Sequence, residues 1–328
     1  MQGALREVME AIYEQDFLSC SHGFRPGRRA HDALRAVDAM VEREGIKVIL
    51  EADFQAYFDS LDRTKLREML QIRIADGSLL RLVGKCLHVG VLDGKELSMP
   101  DEGTVQGSSL SPLLGYIYLH YVLDLWFEKE VKPGLTGHAR LIRYADDFVM
   151  GFARQEDADR VMELLHQRVS EYGLTLHPDK TRLLPFKRPD EGQKGGKGPA
   201  TFDFLGFTLF WVRGQRGRWR LAMKTCEARF QRAIKAIGDW CRRNRHGPLK
   251  DQHAALSRRL NGHFGYFGVN GNQASLNRLR GCAERIWRKW LCRRSQRSRY
   301  TWERFKDLLK VFPLPKPKVR VRIWGSRS

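Results

Sequence analysis

Apolar and polar residues alternate along this chain with two different periods. Apolar positions recur at helical spacing in five segments and again beyond residue 225, so these parts of the chain are predicted to be helices. The five segments are residues 3–18, 30–44, 63–70, 111–127 and 155–172. Three of these helices, at 63–70, 111–127 and 155–172, lie in a central region that also contains runs without helical spacing.

Short apolar runs bounded by glycine or polar residues predict strands in that central region. The runs are residues 47–53, 141–152, 202–211 and 218–223. Residues 141–152 are predicted to form two strands that meet at a tight turn centred on residues 145–147, and 202–211 is predicted to pair with 218–223. This order of elements favours an α+β fold, in which an antiparallel sheet carries helices on one face.

The charge of the chain is segregated along its length. With 328 residues the chain can bury two domain cores, and its net charge is +20. Residues 221–328 contain 27 Lys and Arg against 6 Asp and Glu, so the last third carries essentially all of the excess. Such segregation favours a polyanionic partner, most commonly nucleic acid. A merely solvated basic surface is the alternative.

Cysteine spacing and hydropathy exclude several other classes of protein. Six cysteines are present, and none forms a Cys-x-x-Cys pair, which argues against a zinc ribbon, a zinc-bound nuclease module and a disulfide framework. No run of 18 apolar residues occurs, and the N-terminus lacks the layout of a signal peptide. We therefore expect no membrane association and a cytoplasmic location.

Three aspartates stand at the ends of predicted strands. Asp146 and Asp147 lie side by side in the turn of the second pair of strands, and Asp53 ends an apolar strand far upstream. A buried strand end rarely carries a carboxylate without a partner. Enzymes that transfer nucleotidyl groups need carboxylates around two divalent metal ions, and Mg²⁺ prefers such oxygen ligands. Adjacent acids in a solvated turn remain the simpler interpretation of Asp146 and Asp147 alone.

Six sequence blocks resemble those of group II intron reverse transcriptases, in the family's order. They are HGFRPGRRAHDAL at 22–34 (second fingers block), ADFQAYFDS at 52–60 (motif A), GTVQGSSLSPLL at 103–114 (motif B), RYADDF at 143–148 (motif C), GLTLHPDKT at 173–181 (motif D) and FLGF at 204–207 (primer grip). The resemblance implies an RNA-directed DNA polymerase with a right-hand palm and partial fingers, followed by an all-α thumb or maturase domain. It places the fingers at residues 1–45, the palm at 46–223 and the basic helical thumb at 224–328.

The resemblance also implies roles for single residues. Asp53, Asp146 and Asp147 are expected to be catalytic and to hold two Mg²⁺ ions, with Mn²⁺ as an alternative ion and the backbone carbonyl of Phe54 as a further ligand. Lys180 is expected to protonate the leaving pyrophosphate. The residues implied to bind the nucleotide are Arg25, Arg29, Phe58 (as the gate against a 2′-hydroxyl), Gln106 and Gly107, and those of the primer grip are Phe204, Leu205 and Gly206.

Simpler interpretations remain open for several of these side chains. Phe58 is alternatively a core aromatic beside Tyr57, Arg25 and Arg29 are alternatively solvated, and Lys180 alternatively only extends its charge into solvent. Among the tryptophans of the last third, Trp287 and Trp290 are expected to pack between helices. The basic residues expected to contact nucleic acid are Arg285, Arg288, Lys289, Arg293, Arg294 and Arg297.

The expected partners are an RNA template, a DNA primer, deoxynucleoside triphosphates and structured intron-like RNA. The chain departs from the family at Val105, where proline is usual, and it lacks the first fingers block and the C-terminal nuclease region. The resulting alternative is a maturase-like RNA-binding protein, or a fragment, without polymerase activity. The expected location is the cytoplasm of a bacterium, and the sequence does not predict an oligomeric state.

Overall fold

The structure is a computed structural model that describes seven segments of the chain. They are residues 2–87, 91–93, 96–98, 110–190, 200–214, 217–295 and 300–324. Three of the predicted contact residues, Gln106, Gly107 and Arg297, lie outside these segments. Within the segments, no helix has both the length and the apolar character needed to cross a membrane.

The described segments contain both helices and strands. The α-helices there are α1 (Gln2–Tyr13), α2 (Ala30–Arg43), α3 (Arg63–Gln71), α4 (Gly77–Leu87), α5 (Ser111–Leu119), α6 (Gln155–Glu171), α7 (Glu227–Arg243), α8 (Leu249–Phe267), α9 (Gln273–Leu291) and α10 (Trp302–Val311). The strands are β1 (Val48–Ala52), β2 (Val91–Asp93), β3 (Glu96–Ser98), β4 (Ala139–Tyr144), β5 (Asp147–Phe152), β6 (Arg182–Pro185), β7 (Phe202–Phe204), β8 (Phe207–Arg213) and β9 (Trp219–Thr225).

Four strands form the central antiparallel sheet, in the order β4-β5-β1-β6. The register pairs Leu50 of β1 with Met150 on one side and with Leu183 on the other. The two interior strands are buried except at Glu51 and Asp147, which is why both were recognisable as apolar runs. The predicted α+β fold with an antiparallel sheet is confirmed.

Helices pack on this sheet and supply most of its core. Helix α6 packs against β1 and β5, and its buried side chains include Val161 and Leu165. Helix α2 approaches β5 at Gly151, where an added Cβ would lie 2.7 Å from the sulfur of Met40. Because the sheet is covered so closely, the ends of its strands are held in fixed positions.

The long apolar helix predicted at 111–127 changes its winding part of the way along. It begins as α5 and continues in π-helical turns at His120–Leu125 and Phe127–Val131. Turns of this wide kind are rare and are frequently found beside functional sites. Here they contain Asp124, a fully buried carboxylate.

The strand predicted at 202–211 is interrupted, so that prediction was wrong in its continuity. Leu205 and Gly206 both have positive φ, 52° and 78°, and they separate β7 from β8. Glycine takes this conformation readily, whereas leucine is strained in it. The predicted hairpin across the 214–217 turn is present as β8 and β9. The predicted extended stretch at 174–186 contains only the short strand β6 and an isolated bridge at Leu176.

The chain divides into two compact units. Unit 1 comprises residues 1–205 with 213–220, and unit 2 comprises residues 206–212 with 221–328. These units do not separate fingers from palm, and the domain boundaries at 45/46 and 223/224 stay predictions.

Unit 2 is built mainly from helices that pack around a buried tryptophan. Helix α9 packs against α7 and α8. The indole of Trp287 is buried, donates to Oε1 of Gln252 at 2.9 Å and meets Phe305 edge-on. The expectation that Trp287 packs in the core is confirmed. Trp290 is only half-buried, because Lys289 and Arg293 lie over its ring instead of apolar side chains.

Candidate active site

Strand pairing brings Asp53 and Asp147 to adjacent positions in the central sheet. The last pair of the β1–β5 ladder is Ala52 with Phe148, so the next step along both strands sets Asp53 against Asp147. Opposite residues of an antiparallel pair lie on the same face with Cβ atoms about 5 Å apart. The sheet therefore joins two acids that are far apart in sequence.

Asp146 is placed by the turn between β4 and β5. Tyr144 pairs with Asp147, which leaves Ala145 and Asp146 as the two residues of a tight hairpin turn. Ala145 has a φ of +60°, in the left-handed region that non-glycine residues rarely adopt. Backbone strain of this kind tends to occur at functional sites, where the surrounding structure maintains it.

Lys180 lies beside Asp53, and its proposed role as a proton donor stays a prediction. Its Nζ donates to Oδ2 of Asp53 at 2.6 Å. The segment that carries it runs along motif A, because the amide of His177 donates to the carbonyl of Asp53 at 2.8 Å and Leu176 bridges to Phe54. The Lys180 side chain is 58% exposed, so this ion pair contributes little to stability. The ion pair therefore bears on the chemistry of the site more than on the stability of the fold.

Two carboxylates bind the backbone of the predicted primer grip. Oδ2 of Asp147 accepts a hydrogen bond from the amide of Leu205 at 2.9 Å. Oε1 of Glu51 accepts one from the amide of Asp203 at 3.0 Å, while its other oxygen accepts from Arg182 at 2.9 Å. Residues 203 and 205 are thus hydrogen-bonded to side chains of β1 and β5.

The crowded carboxylates disfavour one another's ionised forms. Burial, with further contributions from Asp53, Asp146 and Glu51, raises the pKa of Asp147 to about 7. Burial and the charge of Asp53 also raise the pKa of Asp146 above its ordinary value. A bound cation would relieve this repulsion.

The donor chemistry of the site fits a hard divalent ion, because all three side chains offer carboxylate oxygens. Among the residues that the structure describes, however, no three His, Cys, Asp or Glu side chains are gathered into a group that could hold a metal. The reason is visible in the contacts: Asp53 faces Lys180 and Asp147 faces the amide of Leu205. The metal ligands, including the carbonyl of Phe54, stay predictions.

Phe58 lies against helix α5 and is partly exposed. Its ring meets Tyr57 edge-on at 5.1 Å between centroids. The hydroxyl of Tyr57 donates to the carbonyl of Gly115 at 2.5 Å, and a Cβ on Gly115 would lie 3.0 Å from Cε1 of Phe58. Glycine at this position lets both rings approach the helix. The gating role of Phe58 stays a prediction.

Arg25 and Arg29 differ in their surroundings. Arg25 is buried and forms a salt bridge with Glu14 at 2.7 Å, and it also donates to the carbonyls of Leu18 and Ser21. This finding contradicts the alternative of a solvated Arg25. Arg29 is exposed at the start of α2. Contact of either residue with triphosphate oxygens stays a prediction.

The basic residues that were predicted to contact nucleic acid, in the second half of α9 and just after it, fall into two groups. Arg285, Lys289 and Arg293 are exposed. Arg288 instead donates to the carbonyl of Tyr300 at 2.8 Å, and Arg294 donates to the carbonyls of two residues of the α7–α8 connection. Arg285, Lys289 and Arg293 are thus more exposed to solvent than Arg288 and Arg294. All five were predicted to contact nucleic acid, and that contact stays a prediction.

Sequence reasoning missed three charged residues of the site. Arg143 and Asp124 are fully buried, and Glu51 is partly buried in an otherwise apolar strand. The signal was available: a charged residue inside an apolar run is costly to bury without a partner, so each of these required one. The partners themselves are set by the fold.

The sequence of the chain is similar to those of known proteins. The family described as reverse transcriptase (RNA-dependent DNA polymerase) matches residues 1–209. Among curated proteins, the group II intron-encoded protein LtrA of Lactococcus lactis is 36% identical over 146 residues, which is 43% of this chain and 24% of LtrA. Protein YkfC of Escherichia coli is 30% identical over 253 residues, 67% of this chain and 63% of YkfC.

A solved telomerase from Candida albicans, in complex with a fragment of telomeric RNA, shares the fold. The TM-score is 0.51 at 13% identity, over 94% of this chain and 56% of that one. The chain thus spans less than two thirds of the length of each of these proteins. Since the family match covers more than half of the chain, the chain belongs to the reverse transcriptase (RNA-dependent DNA polymerase) family.

Proposed function

We propose that this protein is an RNA-directed DNA polymerase that extends a DNA primer on an RNA template with deoxynucleoside triphosphates. One observation carries the proposal. Asp53 follows β1 beside Asp147 of the paired strand β5, next to the turn that carries Asp146, although Asp53 is distant from the other two in sequence. Membership in the reverse transcriptase family supports the same reaction.

In this proposal Asp53 and Asp146 hold two Mg²⁺ ions, for which Mn²⁺ can substitute, and Asp147 and the carbonyl of Phe54 assist. When bound, the two ions stabilise the attacking and leaving oxygens of nucleotidyl transfer. Burial and then the neighbouring carboxylates raise the pKa values of Asp146 and Asp147, which supports a cation site, because such carboxylates gain most from a positive charge.

Lys180 has two successive tasks in the proposed reaction. Before substrate binds, its ammonium neutralises Asp53 at 2.6 Å. If Asp53 holds a metal ion instead, the ammonium would be available to donate a proton to the leaving pyrophosphate. Arg25 and Arg29, with Gln106 and Gly107, bind the nucleotide, and Phe58 excludes its 2′-hydroxyl.

The primer end is oriented by residues 204–206. The amide of Leu205 donates to the carboxylate of Asp147, so this residue of the primer grip is held beside the proposed catalytic acids. A misplacement of 1 Å between reacting groups can cost about 100-fold in rate. We infer that the strained turn at Leu205 is retained because it fixes this distance.

Unit 2 is proposed to bind the template–primer duplex and structured intron-like RNA. Arg285, Lys289 and Arg293 offer exposed charge for phosphates, and Trp290 lies between two of them. The relative LtrA, which is named as a group II intron-encoded protein, supports the intron-like partner. RNA binding without polymerisation, as in a maturase, is the second candidate function, and a bacterial cytoplasmic location belongs to either proposal.

Primer extension on an RNA template tests the proposed function. The reaction contains Mg²⁺ and deoxynucleotides, with the wild-type protein, the Asp146→Ala variant and Asp159→Ala as a matched control on the exposed face of α6. Wild type and Asp159→Ala should extend the primer, Asp146→Ala should not, and all three should bind RNA alike. Tight RNA binding by an inactive wild type would favour the second candidate function.

A further inference from the structure

A fully buried ion pair lies directly behind the catalytic turn. Arg143, near the end of β4, and Asp124, in the π-helical turns, both have 0% exposed side chains. Nε of Arg143 donates to Oδ1 of Asp124 at 2.7 Å, and Nη2 donates to the other carboxylate oxygen. The pair is therefore bidentate, the strongest and most direction-specific form of this interaction.

The remaining donors of Arg143 fix the turn itself. Nη1 donates to the carbonyl of Ala145 at 2.8 Å, and Nη2 also donates to the hydroxyl of Ser21 at 2.8 Å. The carbonyl of Ala145 belongs to the peptide that leads into Asp146. Its orientation follows from the left-handed conformation of Ala145, which is unfavourable for a residue with a Cβ.

A second element supports the turn from outside the sheet. The amide of His22 donates to the carbonyl of Arg143, and the amide of Arg143 donates to the carbonyl of Cys20, both at 2.8 Å. Gly23 then lies so close to the turn that an added Cβ would be 2.4 Å from the backbone nitrogen of Ala145. The turn is thus enclosed on two sides.

Stability alone does not explain such a pair. Desolvating two charges costs about as much as their attraction returns, and apolar replacements of buried ion pairs are often neutral or stabilising. The pair instead fixes the backbone at the turn, because Arg143 donates to the carbonyl of Ala145, in the peptide that leads into Asp146. Its positive charge also opposes the burial and repulsion that raise the pKa of Asp146.

We propose that Arg143 and Asp124 are positioning residues for catalysis, which hold Ala145 in its left-handed conformation and thereby aim the carboxylates of Asp146 and Asp147. This inference rests on the proposed function. It requires the pair to act through the turn, without touching substrate. Its loss should therefore lower kcat and leave substrate and RNA binding largely unchanged.

The decisive variant removes both charges together, as Arg143→Met with Asp124→Leu. No lone buried charge remains, so the melting temperature should stay within a few degrees of the wild type. We expect kcat for primer extension to fall by about 100-fold, with KM for the nucleotide and Kd for RNA changed by less than about threefold. A kcat within about threefold of the wild type would overturn the inference.

Two milder variants decide the question if the double variant does not fold. Arg143→Lys keeps a buried cation but loses the planar fork that reaches Asp124 and Ala145 together, and should lower kcat by about tenfold. Gly23→Ala keeps the pair and pushes on the backbone of Ala145, with a similar selective loss of kcat expected. Gly3→Ala is the matched control, since its Cβ would meet nothing within 4 Å. Full activity in both test variants would contradict a positioning role.

Hydrogen exchange gives a readout that does not depend on polymerase activity. The amides of residues 144–147 should exchange faster in the double variant than in the wild type, whereas those of α6 should not change. An inactive wild type with this exchange difference would refute the proposed function and leave the positioning role intact. An active wild type whose turn exchanges alike with and without the pair would refute the positioning role.

Discussion

Arginine has opposite surroundings in the two units of this protein. Arg143 of unit 1 is wholly buried, and its donors are bonded to Asp124, Ser21 and the carbonyl of Ala145. Arg293 of unit 2 is exposed and lies over the ring of Trp290. We propose that the first fixes a backbone conformation at close range, and that the second attracts a nucleic-acid partner. In this proposal the same type of side chain positions the backbone in one unit and binds a partner in the other.

If the acids of unit 1 serve chemistry and unit 2 serves binding, one substitution should separate the two functions. Asp53→Asn removes a proposed metal ligand, and we expect primer extension to fall by about 1,000-fold or more. The affinity for RNA should stay within about twofold, as measured by filter binding at a fixed salt concentration. Loss of RNA binding in parallel with activity would show that the two units do not divide the work in this way.

Lys180→Met sharpens the comparison within unit 1. The variant lacks the proposed proton donor, so kcat should fall by about 100-fold. It also lacks the ammonium that occupies Asp53, so half-maximal activity should require less Mg²⁺ than in the wild type. Titration of activity with Mg²⁺ measures both effects, and the exposed Lys187→Met is the control. A raised Mg²⁺ requirement would argue against competition between Lys180 and the metal.

The sugar gate offers a subtler test of close packing in unit 1. Phe58→Ala should increase incorporation of ribonucleotides relative to deoxynucleotides, by about tenfold or more. Gly115→Ala should change the same ratio by a smaller factor, because its Cβ would press on Phe58 at 3.0 Å. Competition assays with both nucleotide types measure the ratio, and Gly84→Ala, which meets nothing within 4 Å, is the control. An unchanged ratio in Phe58→Ala would remove this side chain from the gate.

The smallest expected effects contrast two neighbours in sequence. Arg293→Gln should lower the slope of log affinity against log salt for duplex binding by about 1, with unchanged stability. Arg294→Gln should instead lower the free energy of unfolding by about 1 kcal/mol, because the carbonyls of Arg245 and Gly247 lose one of their two donors and keep only Gln252. Salt titration and thermal unfolding measure the two effects. A changed salt slope in Arg294→Gln with a changed stability in Arg293→Gln would contradict the division of these basic residues into an exposed and a hydrogen-bonded group.

The strands beside Asp53, Asp146 and Asp147 were predictable from sequence, because they are apolar runs next to carboxylates. The runs before Asp53 and around the Asp146–Asp147 turn match β1, β4 and β5 closely. Helix α2 was likewise predicted almost to the residue. In each case the pattern of burial is local, so the sequence records it directly.

Features that depend on contacts between distant residues were not predictable in this way. The break at Leu205 depends on an acceptor supplied by Asp147, 58 residues earlier. The burial of Arg25 depends on Glu14 in another element. Helix α4 is not among the predicted helices, although four of its residues are buried. The polar pairing that shapes the site is therefore a property of the fold, which the pattern alone does not contain.

The backbone bonds between residues 20–22 and Arg143 have a consequence for folding as well. Strand β4 is the outermost strand on its side of the central sheet, and exposed edge strands promote association with other chains. The segment 20–22 occupies that edge at Arg143. During synthesis this segment leaves the ribosome long before β4 does. The edge therefore finds its cover already present when it emerges, which limits the time in which a nascent chain could aggregate.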